Sequence, residues 1–237
     1  MPSSRHASKP QAPPAGRRQP TQARAQQTIQ TLFKAAAQIL DKEGEAGLTT
    51  NKVAAVAGFS IGTLYQYFPS KEMLVRAMSV RGQDLVLQEL EGYLRELETC
   101  ADVQHMDGRE LLGKAIHILL QGFAKGKGLS QTLIRLGWTL EQPDETANAV
   151  RQVADRLAIF FERIAHPALQ TPSAAQMFVL TRSVIGTLRS ASLEKSPLLG
   201  SPAFEEALLQ MAWAVLAKPT GADAQAAGLA LGKRPIT

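Results

Sequence analysis

The stretch Gly58-Phe59-Ser60-Ile61-Gly62-Thr63-Leu64-Tyr65-Gln66-Tyr67-Phe68-Pro69-Ser70-Lys71 decides how the chain is read. Ser60 is an N-cap residue type, whose side-chain oxygen can accept from the free amides that open a helix. Pro69 biases Phe68 away from helical backbone and so closes that helix two turns later. At 100° per residue, Ile61, Leu64, Tyr65 and Phe68 share one apolar arc, and Gly62, Thr63, Gln66 and Tyr67 lie opposite. The product is a short helix with a greasy back and a front bearing a hydroxyl, an amide and a phenol. Just upstream, Asn51–Ala57 reads as a second short helix ending at Gly58, a residue suited to a left-handed C-terminal turn. Two short helices across a Gly-containing turn form a helix-turn-helix.

Working outward, Ile29, Leu32, Phe33, Ala36, Ala37 and Leu40 recur at helical spacing, which predicts a first helix over about 23–43, ended by Gly44 and Gly47. Leu48 follows into the core, and Thr49 or Thr50 caps the next helix. Val53, Val56 and Ala57 are expected to pack on the first helix and, with Ile61, Leu64 and Phe68, to close a three-helix core. So small a unit is marginal alone and is expected to lean on the next helix. That helix begins at Ser70-Lys71-Glu72 and carries Met73, Leu74, Ala77, Met78 and Leu85 towards Glu98, long enough to join this head to the rest of the chain.

The combination Thr49-Thr50, Val53-Ala54-x-x-Ala57-Gly58 and Ser60-x-Gly62-Thr63-Leu64-Tyr65-x-Tyr67-Phe68-x-x-Lys71 resembles the DNA-binding segment of the tetracycline-repressor (TetR) family of regulators. The resemblance spans about residues 24–81. It implies an all-α protein with an N-terminal three-helix helix-turn-helix domain and a C-terminal helical bundle. It also implies base-edge contacts from Ile61, Gly62, Thr63 and Gln66, a position near a base for Asn51, and phosphate contacts from Thr50, Tyr65, Tyr67 and Lys71. Many relatives carry Lys where this chain has Ile61, which makes Ile61 the first to drop from the readout. Tyr65 sits at the edge of the apolar arc, and core packing is its other reading. Chemistry agrees with the readout, since a Gln amide can bond adenine bidentately and a Thr methyl can meet that of thymine.

Beyond the head the pattern stays helical. Leu111, Leu112, Ala115, Ile116, Leu119 and Phe123 form one stripe, interrupted by Gly126 and Gly128. Further segments run over 129–140, from Asp144 to Pro167, from Ser173 to about Glu194, and from Pro202 onward. In the last, Phe204, Leu208 and Val215 line one face and Leu209, Trp213 and Leu216 another. Covering both faces requires either a second subunit, which makes the last two helices the expected homodimer interface, or deeper burial in the monomer. In the resembling family this body holds a small-molecule effector. Phe123, Trp138, Phe160, Phe161 and Phe178 are the candidate apolar lining, with Arg135 and His117 as polar anchors; a core role is the alternative for each, and for His117 a hydrogen-bonded one.

Charge is unevenly placed. The chain of 237 residues carries a net +5, with five basic and no acidic side chains in residues 1–24. Residues 25–81 add +2, residues 82–217 contribute −4 and the tail adds +2. Positive charge therefore surrounds the helix-turn-helix and suits a polyanion such as double-stranded DNA. Residues 1–23, rich in Pro, Ser, Gln and Arg, are expected to be a disordered basic arm, and residues 218–237 a frayed tail. The organisation expected is thus arm 1–23, DNA-binding domain 24–81, effector and dimerisation domain 82–217, and tail.

The rest of the composition excludes more than it assigns. A lone Cys100 precludes an intrachain disulfide and suits a reducing cytoplasm. No run of about 18 apolar residues is present, so no membrane span is expected. His6, His105, His117 and His166 share no metal-ligand spacing, and no phosphate loop or nucleophile elbow occurs, so neither a cofactor nor catalysis is expected. The function expected is sequence-specific transcriptional regulation, most simply a repressor released from a palindromic operator by an effector. Its rivals are a non-specific architectural DNA binder and a protein-interaction module without DNA binding.

Overall fold

The computed structural model describes residues 19–123 and 131–219. The expected basic arm as far as residue 18, the Gly126–Gly128 interruption and the tail from residue 220 lie outside the described residues. Within them the chain forms α1 (Gln19–Gly47), α2 (Thr50–Ala57), α3 (Ile61–Tyr67), α4 (Lys71–Thr99), α5 (Gly108–Phe123), α6 (Gln131–Leu140), α7 (Pro143–Ile164), α8 (Ala174–Leu193) and α9 (Pro202–Leu216), and no strand. The fold is all-α, as the sequence implies.

Local chemistry sets most boundaries. Helix α1 starts at Gln19, four residues ahead of expectation, and breaks at Gly44, whose φ of 68° leaves the helical region. The side chains of Thr49, Ser60, Ser70, Ser173 and Ser201 each accept from an amide in the first turn of the helix that follows. Gly58 ends α2 at φ 73°, a left-handed conformation that costs a glycine little. Phe68 ends α3 in extended backbone before Pro69.

Two cores result. The head core gathers Leu32, Ala36 and Leu40 of α1, Val53 and Ala54 of α2, Leu64 and Phe68 around α3, and Leu74, Val75 and Met78 of α4. Val56, expected inside, is exposed and Ala54 takes its place, because Val56 lies about 200° around the short helix from Ala54. The body core joins the rest of α4 to α5, α7, α8 and α9. Along α4 the buried face rotates by about 90° between Leu74–Met78 and Val86–Leu97. Met73 and Leu85, expected on the apolar face, fall outside it and are exposed.

The second face of α9 is covered within the chain. Helix α5 packs along it, Leu209 Cδ2 comes within 3.5 Å of the position a side chain on Gly113 would take, and Leu216 is buried in the body core. Trp213 is half-buried against the same core. The sequence left two ways to cover Leu209, Trp213 and Leu216; α5 supplies cover within the chain, anchored by His117 Nδ1 at 2.9 Å from Glu205 Oε1, and leaves Leu209 and Trp213 half-buried.

Candidate nucleic-acid interface and internal cavity

Helix α3 is held from behind by Leu64 and Phe68, with Phe68 tilted against Phe33 at 5.7 Å between ring centroids. Its front is bare: Gly62, Tyr65 and Gln66 are exposed, and Ile61, Thr63 and Tyr67 are half-buried. The Thr63 amide donates to Ser60 Oγ at 3.1 Å, and the two hydroxyls pair at 2.9 Å. The cap thus engages the Thr63 hydroxyl as well as its amide. A side chain on Gly62 would meet only Ser60 Oγ, at 3.8 Å, so nothing inside the protein requires glycine there.

Tyr65 is 49% exposed, which answers the choice left open in the sequence: it is not a core residue. Its phenol lies 3.3 Å from the Thr50 hydroxyl, so two expected phosphate-binding groups are brought together across α2 and α3. Asn51 beside them is exposed. Lys71 occupies the first position of α4, where the helix dipole opposes a cation, while Glu72 next to it is favoured. Hydrogen bonds from its own amide and from Ser70 hold the Glu72 carboxyl below its ordinary pKa. The Lys71 charge lowers the Glu72 pKa further.

In the body lies a cavity of about 140 Å³, lined by residues of α4 to α9 and open on one side. Phe123, Trp138, Phe160 and Phe161 all line it, with Phe123 and Trp138 stacked at 5.7 Å and Phe160 and Phe161 edge-on at 5.4 Å. Three further sequence candidates do not. Phe178 is 58% exposed on the outer face of α8, covered only by the Arg182 guanidinium 3.8 Å from its ring centroid. His117 sits on the exposed side of α5 and pairs with Glu205, so it is neither a core residue nor a cavity anchor. Arg135 is half-buried on α6, three residues before Trp138 and about 60° away from it, outside the lining.

The polar groups in the lining are ones the sequence reading missed. Gln83 of α4 donates to Glu141 Oε1 at 2.6 Å, and Thr146 of α7 donates to Glu141 Oε2 at 2.9 Å. Tyr93 donates to the Leu111 carbonyl at 3.1 Å; burial, aided by the Glu96 charge, pushes its pKa up to about 12. Leu90, Tyr93, Leu94 and Leu97 were detectable from their helical spacing. Glu141, just past the end of α6, belongs to no periodic pattern and left no such signal.

Helix α6 links the two regions. Leu133 is fully buried in the head core, with Leu136 and Leu140 against it, while Ile134 and Trp138 belong to the body core. Gly137 lets α6 approach α4 so closely that an added side chain would meet Ser79 Oγ at 2.0 Å.

Comparison with known proteins agrees with this architecture. Residues 32–78 match the family model of bacterial regulatory proteins, tetR family. Among solved structures, a TetR-family transcriptional regulator from Streptomyces coelicolor is 20% identical, aligned over 81% of this chain and 96% of its own, with a TM-score of 0.52. NalD of Pseudomonas aeruginosa, the secondary repressor of the MexAB-OprM multidrug efflux pump, is 16% identical over 82% and 100%, with a TM-score of 0.54. SmeT, the repressor of the Stenotrophomonas maltophilia multidrug efflux pump SmeDEF, is 19% identical over 80% and 90%, also at 0.54. No curated protein sequence matches the chain. At these identities the structures establish a shared fold, and the family match covers the head.

Proposed function

We propose, from the premise that the chain is a tetR-family protein by its amino-terminal domain and its fold, that it is a dimeric repressor of transcription released from a near-palindromic operator by a small molecule. The observation that carries the reading is the front of α3. A glycine with no internal reason to be one stands beside a Thr held by its cap and an exposed Gln. In this reading Gly62, Thr63 and Gln66 meet base edges, with Ile61 and Asn51 at the margin, and Thr50, Tyr65, Tyr67 and Lys71 grip phosphates.

Dimerisation is assigned to α8 and α9. With the inner face of α9 covered by α5, the outward seam of α8 carries the argument. Val179, Arg182, Gly186 and Leu193 follow one another at spacings of three, four and seven. Gly186 meets nothing within 4 Å, and a mid-helix glycine costs about 1 kcal/mol unless something needs its smallness. A second α8 crossing there supplies the need. Two α3 helices, one per subunit, then read major grooves about 34–36 Å apart.

The effector enters the body cavity, and α6 transmits its arrival together with α4, since each of these two helices contributes to both cores. A ligand that prefers a body conformation with the heads displaced lowers operator affinity by its differential binding. Repression has support of its own in the fold shared with NalD and SmeT, both repressors.

Selection of bound sequences from random duplex DNA at low and moderate salt tests the reading. A two-fold symmetric site that survives the higher salt is the expected result. Binding without sequence enrichment that disappears as salt rises would replace it with a non-specific architectural role.

A further inference from the structure

We infer that the molecule received by the cavity is an uncharged or, preferentially, cationic amphiphile, an apolar body with one basic nitrogen, and that anionic ligands are rejected. The inference rests on the reading of the cavity as an effector site and assigns the chemical class it admits. Among the described residues that line the cavity Glu141 alone is charged, and none is a Lys, Arg or His. Its carboxylate accepts from the Gln83 amide at 2.6 Å and the Thr146 hydroxyl at 2.9 Å, and it forms no ion pair with the described residues. These three side chains come from α4, the α6–α7 junction and α7. Together they present two carboxylate oxygens, an amide carbonyl and a hydroxyl, a set of acceptors that suits an ammonium donor. A carboxylate or phosphate brought to the same place would face a like charge beside the apolar wall.

A second, independent observation marks the cavity as built for a guest. Trp138 is 3% exposed, lines this space and a smaller pocket beside Ser79 and Val86, and its indole N–H has no hydrogen-bond partner among the described residues. Buried donors are almost always paired in native proteins. An ether, hydroxyl or carbonyl oxygen in the body of the guest would pair it. Leu90, Leu112, Ile116, Val153, Phe160 and Val184 offer the wall only hydrocarbon, and the lining hydroxyls of Tyr93 and Thr181 donate to backbone carbonyls.

Three probes of matched shape test the assignment on the full-length protein: 3-phenoxypropylamine, 3-phenoxypropanol and 3-phenoxypropanoate at pH 7. Affinities are read by calorimetry, and the Trp138 indole N–H resonance, identified by its loss in Trp138→Phe, is followed by NMR. The expected order is amine, alcohol, then carboxylate, with at least tenfold between the ends, and the amine shifts the Trp138 resonance. Glu141→Gln should abolish the preference for the amine while leaving the alcohol's affinity within about twofold. Carboxylate binding equal to or tighter than the amine, an unchanged preference in Glu141→Gln, or binding of none of the three each overturns the inference. Operator binding measured on the same samples, with and without amine, keeps the two claims apart. Amine binding without operator release supports the chemical class and refutes the effector role, whereas operator binding alongside failed probe binding refutes only the class.

Discussion

Leu133 and Trp138 stand five residues apart on α6, yet they are buried in different cores: Leu133 in the head that carries α3, Trp138 in the wall of the body cavity. Helix α6 thus joins the cavity wall to the head core within five residues, as α4 does over a longer span. The long α4, which the sequence singled out as the connector, runs beside it and is gripped at Gly137.

Leu133→Ala should therefore act on the head from a distance. Removing a fully buried leucine costs about 2–5 kcal/mol. We expect lower thermal stability and weaker operator binding, with amine affinity at the cavity essentially unchanged. Equal losses at both sites, measured by DNA titration and calorimetry, would show that the cores are not separable.

The contact between Gly137 and Ser79 predicts a rescue. Gly137→Ala places a methyl in collision with Ser79 Oγ and Cβ, and overpacking of this kind costs about 1–3 kcal/mol. Ser79→Gly in the same chain clears both atoms and should return most of the lost stability, even though it adds a helix glycine. Chemical denaturation of the two single variants and the double variant measures the coupling.

At the DNA surface, Gln66→Ala and Lys71→Ala should fail differently. Loss of Gln66 is expected to relax preference at one base position per half-site, worth about 1–3 kcal/mol there. Loss of Lys71 should weaken binding to every sequence and lower the salt slope by about 1. A repeated sequence selection checks the first, and titrations across a salt series check the second.

Gly186→Arg tests the subunit interface. The side chain has open space in the monomer and should leave helicity intact, while a second α8 crossing at that point would be forced apart. Sedimentation should report a monomer and operator affinity should collapse. A dimer of normal affinity would move the interface away from this seam of α8.

Stability should also fall at high pH through Tyr93. Its pKa is raised from 10 in the unfolded chain to about 12 in the folded one, because burial disfavours the phenolate. The contribution is fully present below pH 10 and is lost as pH rises towards 12. Tyr93→Phe should lower stability at neutral pH by about 1 kcal/mol, through the missing bond to Leu111, and show a shallower decline over that window.

The helix boundaries of the head were legible because their signals are local. Caps at Ser60 and Ser70, the left-handed Gly58 and the stop at Pro69 each act within a few positions. Misreadings came where a partner far along the chain decides. Val56 and Leu85 have the right chemistry for a core, but the faces they occupy have nothing opposite them. The outer face of α8 exposes Phe178, and α5 packs on the face of α9 that carries Leu209 and Leu216. The four aromatic residues that do meet in the cavity were named by type, whereas Gln83, Glu141 and Thr146 converge from three elements and share no spacing that a sequence can display.

That the head core is completed by Leu133 bears on how the protein can be taken apart. Residues 24–81 look like a self-contained module along the chain, but cut out on their own they would present a leucine-sized gap to water. A chimera that grafts this head onto a related body would inherit a foreign residue at that position, and its folding would depend on how well that residue fills the gap. The unit that can be exchanged between such proteins is the head together with α6.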